Sequence, residues 1–252
     1  MSVASIYRWT GDGLELLDYC DMTGTAIEAA DSWLVTDGTA LALEAHRARF
    51  AAAAGREIDA FWGASIATIP LEGDWFPRVE SHSNGRLVFR LRSAPERSRS
   101  VVLATWAGED LRTEPTVKGP DLEAMLGIRT SVQAVGAGEA VLLSPDGYVV
   151  EGSTSALLWW RGEILCGPLP EFDKIDSVTA RSVLTLATAL GVDTHEEAVT
   201  PAELDGTELW TLNALHGIRI VTSWIDGPQL AEQPGRLAAW RKRLEALRRP
   251  IR

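Results

Sequence analysis

The spacing of apolar residues changes along the chain, and each change predicts a different element. Between residues 5 and 35, apolar and polar residues alternate around the turn-forming segment Thr10–Gly13, which indicates a β-hairpin or meander. From residue 39 to residue 55 the apolar residues recur at three- and four-residue intervals and end at a glycine, which predicts a helix. On this helix His46 and Arg49 lie three residues apart, so we expect them to share a face.

Two further strands complete a mixed α and β first half. Apolar patterns at residues 85–93 and 100–106 predict these strands. Beyond them the pattern weakens where prolines bracket polar residues, which is typical of a domain boundary. We therefore expect a small N-terminal α/β domain at 1–112, a linker at 113–117 and a C-terminal domain at 118–252.

The second half has two strong helical patterns and a series of short strands. Asp121 is predicted to cap a helix that runs to about Val135, and a helix at 177–191 is opened by Ser and Thr and ended by Gly. An arginine-rich helix is predicted from about Arg236. The predicted strands lie at residues 140–143, 148–151, 155–160, 163–166, 207–212 and 218–224.

The composition of the chain disfavours several classes of function. A chain of 252 residues with 46% hydrophobic content can bury a large core, and a formal net charge of −11 disfavours nucleic-acid and anionic-membrane binding. The pattern contains no secretory signal and no apolar run of membrane-spanning length. Cys20 and Cys166 have neither disulfide nor metal spacing, and the four histidines show no ligand spacing, so no metal is expected. These features predict a cytoplasmic protein with reduced thiols.

Lysine is rare in this chain, with three residues against 21 arginines. Lys242 falls in the basic terminal helix and Lys174 in a polar loop, where both are expected to be solvated. Lys118 falls at the predicted domain junction, and Glu151 follows 33 residues later at a strand end. Pyridoxal phosphate (PLP) needs a lysine for a Schiff base, a carboxylate for its ring nitrogen, and an arginine and helix N-terminus for its phosphate. The residues therefore fit a PLP site, with a surface lysine as the alternative.

Several segments, in order, resemble the class IV aminotransferases, the PLP enzymes of fold type IV. This family includes branched-chain and D-amino-acid aminotransferases and 4-amino-4-deoxychorismate lyase. The resemblance implies an α+β, two-domain fold like that of D-amino-acid aminotransferase, with the cofactor at the domain interface, and it implies a homodimer. The segments that carry it are His46–Arg49, Lys118, residues 146–155, residues 177–179 and residues 212–218.

The resemblance also implies a role for particular residues. Lys118 would be the catalytic lysine that forms the Schiff base, and Glu151 would bind the pyridine nitrogen. Arg49 would contact the phosphate together with the backbone N–H groups of Val178 and Thr179, although a surface charge is the alternative for Arg49. His46 is expected to pack at the junction rather than to do chemistry.

Asn213 and Ala214 fall where family members close over the phosphate and the substrate, although Asn213 could instead satisfy a turn at a strand end. The chain departs from the family at Leu34, Ala156 and Ala180, which replace a common arginine, asparagine and arginine. These departures leave open which residues bind the substrate carboxylate.

Arginines of the first domain could supply that charge. Arg90 and Arg92 lie on a predicted strand and Arg97 lies just after it. A bidentate guanidinium suits a carboxylate, and Asn213 is a further substrate-binding candidate. Solvated charges at a strand edge are the alternative for the arginines.

The small-molecule substrate is expected to carry an amino group and a carboxylate. Asn213 and Ala214, with Leu215, resemble the lyase branch, which predicts 4-aminobenzoate and pyruvate as products. Against this, Asp31 and Ser32 stand where the lyases carry threonines. A transaminase of D-amino or branched-chain amino acids and a non-catalytic family member are the alternatives.

Overall fold

A computed structural model of the chain describes residues 5–17 and 25–252. The chain divides into two compact units. Unit 1 contains Met1–Glu96, Val117–Pro120 and Leu247–Arg252, and unit 2 contains Arg97–Thr116 and Asp121–Ala246. The short segment that carries Lys118 therefore belongs to unit 1. The domain boundary at residues 113–117 stays a prediction.

Unit 1 is built on an antiparallel sheet and two helices. Its elements up to residue 91 are β1 (Ser5–Trp9), β2 (Leu14–Leu16), β3 (Ile27–Ser32), β4 (Val35–Thr36), β5 (Thr39–Ala40), α1 (Leu43–Ala54), α2 (Asp59–Thr68), β6 (Asp74–Trp75), β7 (Arg78–His82) and β8 (Leu87–Leu91). The five-stranded sheet has the order β2-β1-β8-β7-β3. The large apolar side chains of its core are Trp33, Phe50, Phe61, Trp62 and Phe89.

Three predictions about unit 1 can be compared with these elements. The hairpin around Thr10–Gly13 is confirmed, since β1 and β2 pair antiparallel across it. The helix predicted from residue 39 begins only at Leu43, because residues 39 and 40 form β5 and Ala42 has a positive φ of 46°. Its end is as predicted, because Gly55 adopts the left-handed conformation that favours glycine. Cys20 lies outside the described residues.

Unit 2 is built on one mixed eight-stranded sheet. Its elements are β9 (Ser100–Thr105), α3 (Leu122–Gln133), β10 (Glu139–Leu143), β11 (Val149–Gly152), β12 (Ala156–Arg161), β13 (Ile164–Pro168), α4 (Val178–Ala189), β14 (Thr194–Glu197), a 3-10 helix (Pro201–Leu204), β15 (Glu208–Asn213), β16 (Gly217–Ile225) and α5 (Arg236–Glu245). The strand order is β11-β10-β9-β16-β15-β12-β13-β14. The chain then returns to unit 1, where β17 (Arg249–Pro250) pairs with β5 in a small sheet of order β17-β5-β4-β6.

The predicted elements of unit 2 are confirmed in type and place, but the cap of α3 differs from the prediction. Asp121 stands at the N-cap position without a side-chain cap bond. Its carboxylate instead accepts hydrogen bonds from the N–H and hydroxyl of Thr113, both at 2.8 Å, and from the N–H of Glu114 at 2.9 Å. The carboxylate therefore bonds to the loop before the helix, which offers two backbone donors and a hydroxyl, and not to the first turn of α3.

Two kinds of feature are absent from the described part of the chain, a membrane-spanning helix and a metal-binding cluster. No helix in it combines the length and the apolar character that crossing a membrane requires. No group of three or more His, Cys, Asp or Glu side chains in it is arranged to hold a metal ion.

Candidate active site

The backbone of Lys118 is tied to strand β3. The carbonyl of Lys118 accepts a hydrogen bond from the N–H of Ala30 at 2.6 Å. Gly119 follows with a φ of 149°, and a Cβ there would lie 2.7 Å from the Cα of Ala29. Only glycine allows two backbones to approach so closely. The segment therefore positions Lys118 through main-chain contacts within unit 1.

Asp31 follows Ala30 on β3, and its carboxylate contacts two side chains of α1. Asp31 is fully buried, and Arg49 contacts both of its oxygens, with Nε–Oδ2 and Nη2–Oδ1 distances of 2.8 Å. His46 Nδ1 lies 2.8 Å from Oδ1. His46 and Arg49 therefore share a face of α1, and that face meets one carboxylate. The sequence marked Asp31 only as a departure from the lyases, so this role was missed.

The pKa shifts define the charges in this cluster. Burial alone would raise the pKa of Asp31, but the charges and hydrogen bonds of His46 and Arg49 outweigh it and lower the pKa to about 2. Burial lowers the pKa of His46, Asp31 opposes this shift, and the positive charges of Arg49 and Lys118 add to it. Asp31 is therefore ionised and His46 neutral near pH 7. Because a carboxylate can only accept, Nδ1 of His46 carries the hydrogen.

Glu151 lies in unit 2, on β11, with 7% of its surface exposed. Its Oε1 is 2.5 Å from Nη1 of Arg112, and its Oε2 accepts a hydrogen bond from the N–H of Ile175 at 3.3 Å. The side chain of Arg112 is 5% exposed and also pairs with Asp110 at 2.6 Å. Burial lowers the pKa of Arg112, but Asp110 and Glu151 outweigh it, so the pKa is raised. Sequence reasoning missed Arg112, because it falls in a polar stretch without a periodic pattern.

The turn after Glu151 is fixed by a second buried carboxylate, Glu139. Glu139 accepts hydrogen bonds from the hydroxyls of Ser153, Thr154 and Ser155 at 2.8, 2.8 and 3.0 Å. It also pairs with Arg219 at 3.1 Å. This network holds the end of β11 in one conformation, and nothing in the residue pattern singled out Glu139.

Asn213, at the end of β15, is held by the same turn. Its Nδ2 donates to the hydroxyl of Ser155 at 3.1 Å, and its Oδ1 accepts from the N–H of His216 at 2.8 Å. Asn213 therefore satisfies the turn at the end of its strand, which was the alternative to a role in binding. It is also linked through Ser155 to the segment that carries Glu151. Ala214 follows within the turn between β15 and β16.

The first turn of α4 presents backbone donors. Ser177 caps the helix by accepting from the N–H of Ala180 at 3.3 Å. Val178 and Thr179 are buried, and no hydrogen bond from their N–H groups is found among the described residues. The first turn contains no acidic residue. Together with the helix dipole, these groups form an end of the helix that favours an anion.

The candidate substrate arginines lie on β8 and directly after it, and both are partly buried. Arg90 Nε donates to Glu80 at 2.7 Å, and Arg78 pairs with Glu80 at 2.5 Å. Arg92 Nε donates to the carbonyl of Phe76 at 2.8 Å, and its guanidinium lies 4.9 Å from the centre of that ring. Burial, followed by the charges of Arg78 and Arg90, lowers the pKa of Arg92 to about 10. Two guanidinium groups, those of Arg78 and Arg90, thus share the Glu80 carboxylate, and the charge of Arg92 lies near them.

Three other predicted residues lie elsewhere. Arg97 belongs to unit 2, where it pairs with Glu245 at 2.6 Å. Lys174 was expected to be solvated, and this was wrong, since its Nζ donates to the carbonyls of Leu169 and Phe172 and its pKa is lowered, chiefly by burial. Lys242 is exposed, as expected.

The groups described above fit PLP by their chemistry. Lys118 lies in a segment whose main chain is bonded to β3, and Glu151 is a buried carboxylate of the kind that binds a ring nitrogen. The first turn of α4, which has no acidic residue, offers N–H donors for which no partner is found among the described residues. These groups are of the kinds that PLP requires.

Comparison with known proteins shows the family. The family model for amino-transferase class IV matches residues 80–224, which is more than half of the chain. The chain belongs to the class IV aminotransferase family, whose members are PLP-dependent enzymes. The resemblance stated from the sequence is thereby confirmed, as are the α+β fold of type IV and the cofactor. No curated protein matches the chain significantly by sequence.

Solved structures share the fold at low sequence identity. The fold IV transaminase CpuTA1 from Curtobacterium pusillum has a TM-score of 0.79 at 18% identity, over 96% of this chain and 97% of the other. A hypothetical aminotransferase from Mycobacterium tuberculosis, in a PLP-bound form, has a TM-score of 0.75 at 19% identity, over 97% and 98%. A Legionella pneumophila protein assigned as a 4-amino-4-deoxychorismate lyase has a TM-score of 0.74 at 16% identity, over 86% and 90%. At these identities the comparisons show the fold alone.

Proposed function

We propose that the chain acts on an amino-bearing carboxylate as a 4-amino-4-deoxychorismate lyase that releases 4-aminobenzoate and pyruvate. The observation that carries the proposal is the anchored carboxamide of Asn213, which bonds to the turn after Glu151 through Ser155. The segment that begins at Asn213 is the one that resembles the lyase branch. A transaminase of D-amino or branched-chain amino acids is the second candidate, supported by a neighbour of the same fold that is a transaminase.

Different residues of the chain would bind different parts of the cofactor. PLP, when bound, supplies a carbonyl that links to amines and a ring that accepts electrons from the substrate carbon. We propose that Lys118 would hold the cofactor covalently until the substrate amine displaces it, and that its freed Nζ would then take the proton of the substrate α-carbon. In the lyase, the C–O bond to the pyruvate group would break as the substrate ring becomes aromatic, and Nζ would give that proton to the departing enolpyruvate. Glu151, which pairs with Arg112 at 2.5 Å, would bind the ring nitrogen and hold a proton on it.

The phosphate would be bound by charges and dipoles from three places. Arg49, oriented by Asp31, would offer its guanidinium. Val178 and Thr179 would donate their backbone N–H groups, and Ala214, next to Asn213, would close over the phosphate. Each of these groups is positioned by hydrogen bonds already present in its own unit.

The first prediction tests the reaction and the role of Lys118 together. The purified, PLP-loaded protein is expected to form pyruvate and 4-aminobenzoate from 4-amino-4-deoxychorismate without an added keto acid. In Lys118→Ala both products and the visible absorbance of the lysine-bound cofactor should be lost. Lys242→Ala, which removes an exposed lysine, serves as the matched control and should keep both.

The outcomes separate the candidate functions. Wild-type protein that forms no pyruvate above background contradicts the lyase. Amino transfer from a panel of D- and L-amino acids to 2-oxoglutarate would then support the transaminase. Cofactor absorbance that survives in Lys118→Ala contradicts the role of Lys118 whichever reaction is found. Bound cofactor with neither activity would support a non-catalytic family member.

We further propose that Arg90 and Arg92 bind a substrate carboxylate, assisted by Asn213. The excess of positive charge around Glu80 supports this, because one carboxylate cannot neutralise three guanidinium groups. Within the described residues the Nε of Arg78 is buried without a partner. An anionic substrate would relieve this imbalance.

A second prediction follows from the arginine cluster. Arg92→Gln should raise KM for the carboxylate substrate by about 10- to 100-fold, as expected for a charge-assisted hydrogen bond, with a smaller change in kcat. Arg86→Gln, at an exposed position in the turn before β8, is the control and should leave KM unchanged. The measurement is steady-state kinetics, with thermal unfolding to check the fold. An unchanged KM in Arg92→Gln would contradict the assignment.

We also propose that the protein works in the cytoplasm as a homodimer. The family resemblance supports the dimer, and the two-cysteine composition supports the compartment. Sedimentation of the PLP-loaded protein at micromolar concentration should give a particle of twice the 27.4 kDa chain mass. A monomer at these concentrations would contradict the proposed assembly.

A further inference from the structure

The five-stranded sheet of unit 1 has one apolar face and one charged face. Val79 and Phe89 lie in the core that α1 and α2 cover. Because successive side chains of a strand point to opposite faces, Arg78, Glu80 and Arg90 lie on the other face. Arg78 and Arg90 contact the same oxygen of Glu80 at 2.5 and 2.7 Å, in agreement with this placement. The two arginines lie directly opposite each other in the register of β7 and β8.

The arginines of this charged face have donors that the protein itself does not use. Arg78 contacts Glu80 through Nη2, Arg90 contacts it through Nε, and Arg92 donates Nε to the carbonyl of Phe76. Nη1 of Arg78 and both terminal nitrogens of Arg90 and Arg92 have no hydrogen-bond partner among the described residues. Of the unpaired nitrogens in these three side chains, only the Nε of Arg78 is fully buried. The terminal nitrogens are therefore accessible to a ligand.

The positive charges of this face outnumber the negative ones. Burial lowers the pKa of Arg92 to about 10, the charges of Arg78 and Arg90 add to this shift, and Glu80 opposes it. Burial would raise the pKa of Glu80, but His82, Arg78 and Arg90 outweigh it and lower the pKa to about 2, so Glu80 is ionised. Three guanidinium groups therefore face one carboxylate. The excess of two positive charges matches a ligand that carries two carboxylates.

The order of the strands places Arg78 nearer to Lys118 than Arg90. The main chain of Lys118 bonds to Ala30 on β3, and the sheet continues from β3 to β7 and then to β8. Because neighbouring strands lie about 4.8 Å apart, Arg78 lies about 10 Å across the strands from the main chain of Lys118, and Arg90 about 14 Å. A substrate whose amino group is held at Lys118 would therefore meet Arg78 before Arg90.

We propose that Arg78 is a further substrate-binding residue, and that Arg78 binds one carboxylate of the substrate while Arg90 and Arg92 bind a second. This inference rests on the proposed function, in which Arg90 and Arg92 bind a substrate carboxylate. It assigns the substrate to the class of amines with two carboxylates, to which 4-amino-4-deoxychorismate belongs. Each of its products, 4-aminobenzoate and pyruvate, keeps one carboxylate and would satisfy only half of the site. A substrate with one carboxylate would leave Nη1 of Arg78 without an acceptor.

The test is a calorimetric titration of the PLP-loaded full chain with isophthalate, a ring with two carboxylates, and with benzoate, which has one. Neither compound has an amine, so binding is measured without any reaction at the cofactor. The wild-type protein should bind isophthalate about 10- to 100-fold more tightly, as expected for one additional charge-assisted contact. Arg78→Gln should lose this preference and keep its affinity for benzoate, which also shows that the variant is folded. Arg86→Gln, at the exposed position before β8, is the matched control and should keep the preference.

Three results would overturn the role of Arg78. The first is equal affinity of the wild-type protein for isophthalate and benzoate. The second is an undiminished preference for isophthalate in Arg78→Gln. The third is a loss of benzoate binding in the same variant, because Arg78 would then support the whole arginine cluster and not a separate carboxylate.

Failure of the proposed function would give different results. Benzoate affinity that Arg92→Gln leaves unchanged would contradict the carboxylate site of Arg90 and Arg92 itself. Absence of pyruvate from 4-amino-4-deoxychorismate would contradict the lyase, whereas the preference for two carboxylates is measured without turnover. A protein that prefers isophthalate through Arg78 but forms no pyruvate would therefore keep the present inference and lose the lyase.

Discussion

At the scale of single residues, Asp31 organises the charged part of unit 1. It is fully buried, and Arg49 and His46 both contact it at 2.8 Å. A buried carboxylate is favourable only where a cation and hydrogen bonds compensate its lost hydration. Asp31 therefore sets the direction in which Arg49 points, and Arg49 is the proposed ligand of the phosphate.

Asp31→Asn should destabilise the protein and weaken PLP binding. Removing one partner of a buried ion pair costs about 3–5 kcal/mol, because the remaining charge stays buried without compensation. Chemical denaturation and PLP titration measure the two effects. Asp59→Asn is the matched control, since Asp59 at the start of α2 pairs with Arg47 of α1 at an exposed position, where an ion pair contributes about 0–1 kcal/mol. Equal effects of the two substitutions would contradict the role of Asp31.

The lowered pKa of Asp31 also predicts a pH dependence. Because the pKa falls from 3.8 to about 2 on folding, the stabilising contribution is complete above the unfolded value of 3.8. It is lost as the pH falls through the folded value of about 2. The contribution is roughly 2 kcal/mol, and Asp31→Asn should remove it from acid-unfolding curves between these two values. An acid-unfolding profile that the substitution leaves unchanged would contradict this assignment.

At the scale of elements, α4 and α2 show when the spacing of apolar residues predicts a helix and when it does not. α4 has apolar residues at helical spacing and a Ser at its N-cap, so its bounds were predicted within two residues. α2 was missed, because apolar residues lie on all its sides and Gly63 interrupts it. Its Phe61, Trp62 and Ile66 are buried in the core of unit 1, so packing rather than periodicity determines that helix.

Ser177→Ala should destabilise α4 by about 1 kcal/mol, the usual value of an N-cap side chain. It should also weaken PLP binding, because the cap holds the first turn, whose N–H groups are the proposed phosphate ligands. Thermal unfolding and PLP titration provide the measurements. Ser182→Ala, on the same helix, removes only a bond to the carbonyl of Val178 and is the control. A Ser177→Ala variant that behaves like this control would contradict the cap's role.

At the scale of the whole molecule, unit 1 is assembled from three separate parts of the chain. The last of them, Leu247–Arg252, adds β17 and places Ile251 in the core with 7% of its surface exposed. Arg248 donates to the carbonyl of Thr39 at 2.6 Å, and Arg252 donates to that of Ala67 at 2.7 Å. The end of the chain therefore stabilises the same unit as its beginning.

Deleting residues 247–252 should destabilise unit 1 selectively. Hydrogen exchange should show lost protection of the amides of α2 and β5, with the sheet of unit 2 little affected. Ile251→Ala should give a smaller effect of about 2–4 kcal/mol, because it removes only the buried side chain. Leu247→Ala, at a residue with 37% exposure, is the control. Equal loss of protection in both units would contradict a selective role.

The sequence by itself determined the local features and the family. Regular elements follow from the spacing of apolar residues, and the candidate residues Lys118, Glu151 and Arg49 follow from their order along the chain. Residues that act through long-range contacts could not be found this way. Arg112 meets Glu151 across 39 positions, and Arg219 meets Glu139 across 80. No spacing rule joins such partners, because only folding of the strands and loops brings them together. The tertiary structure alone therefore decided that Asp31 orients Arg49 and that Glu139 fixes the turn after Glu151.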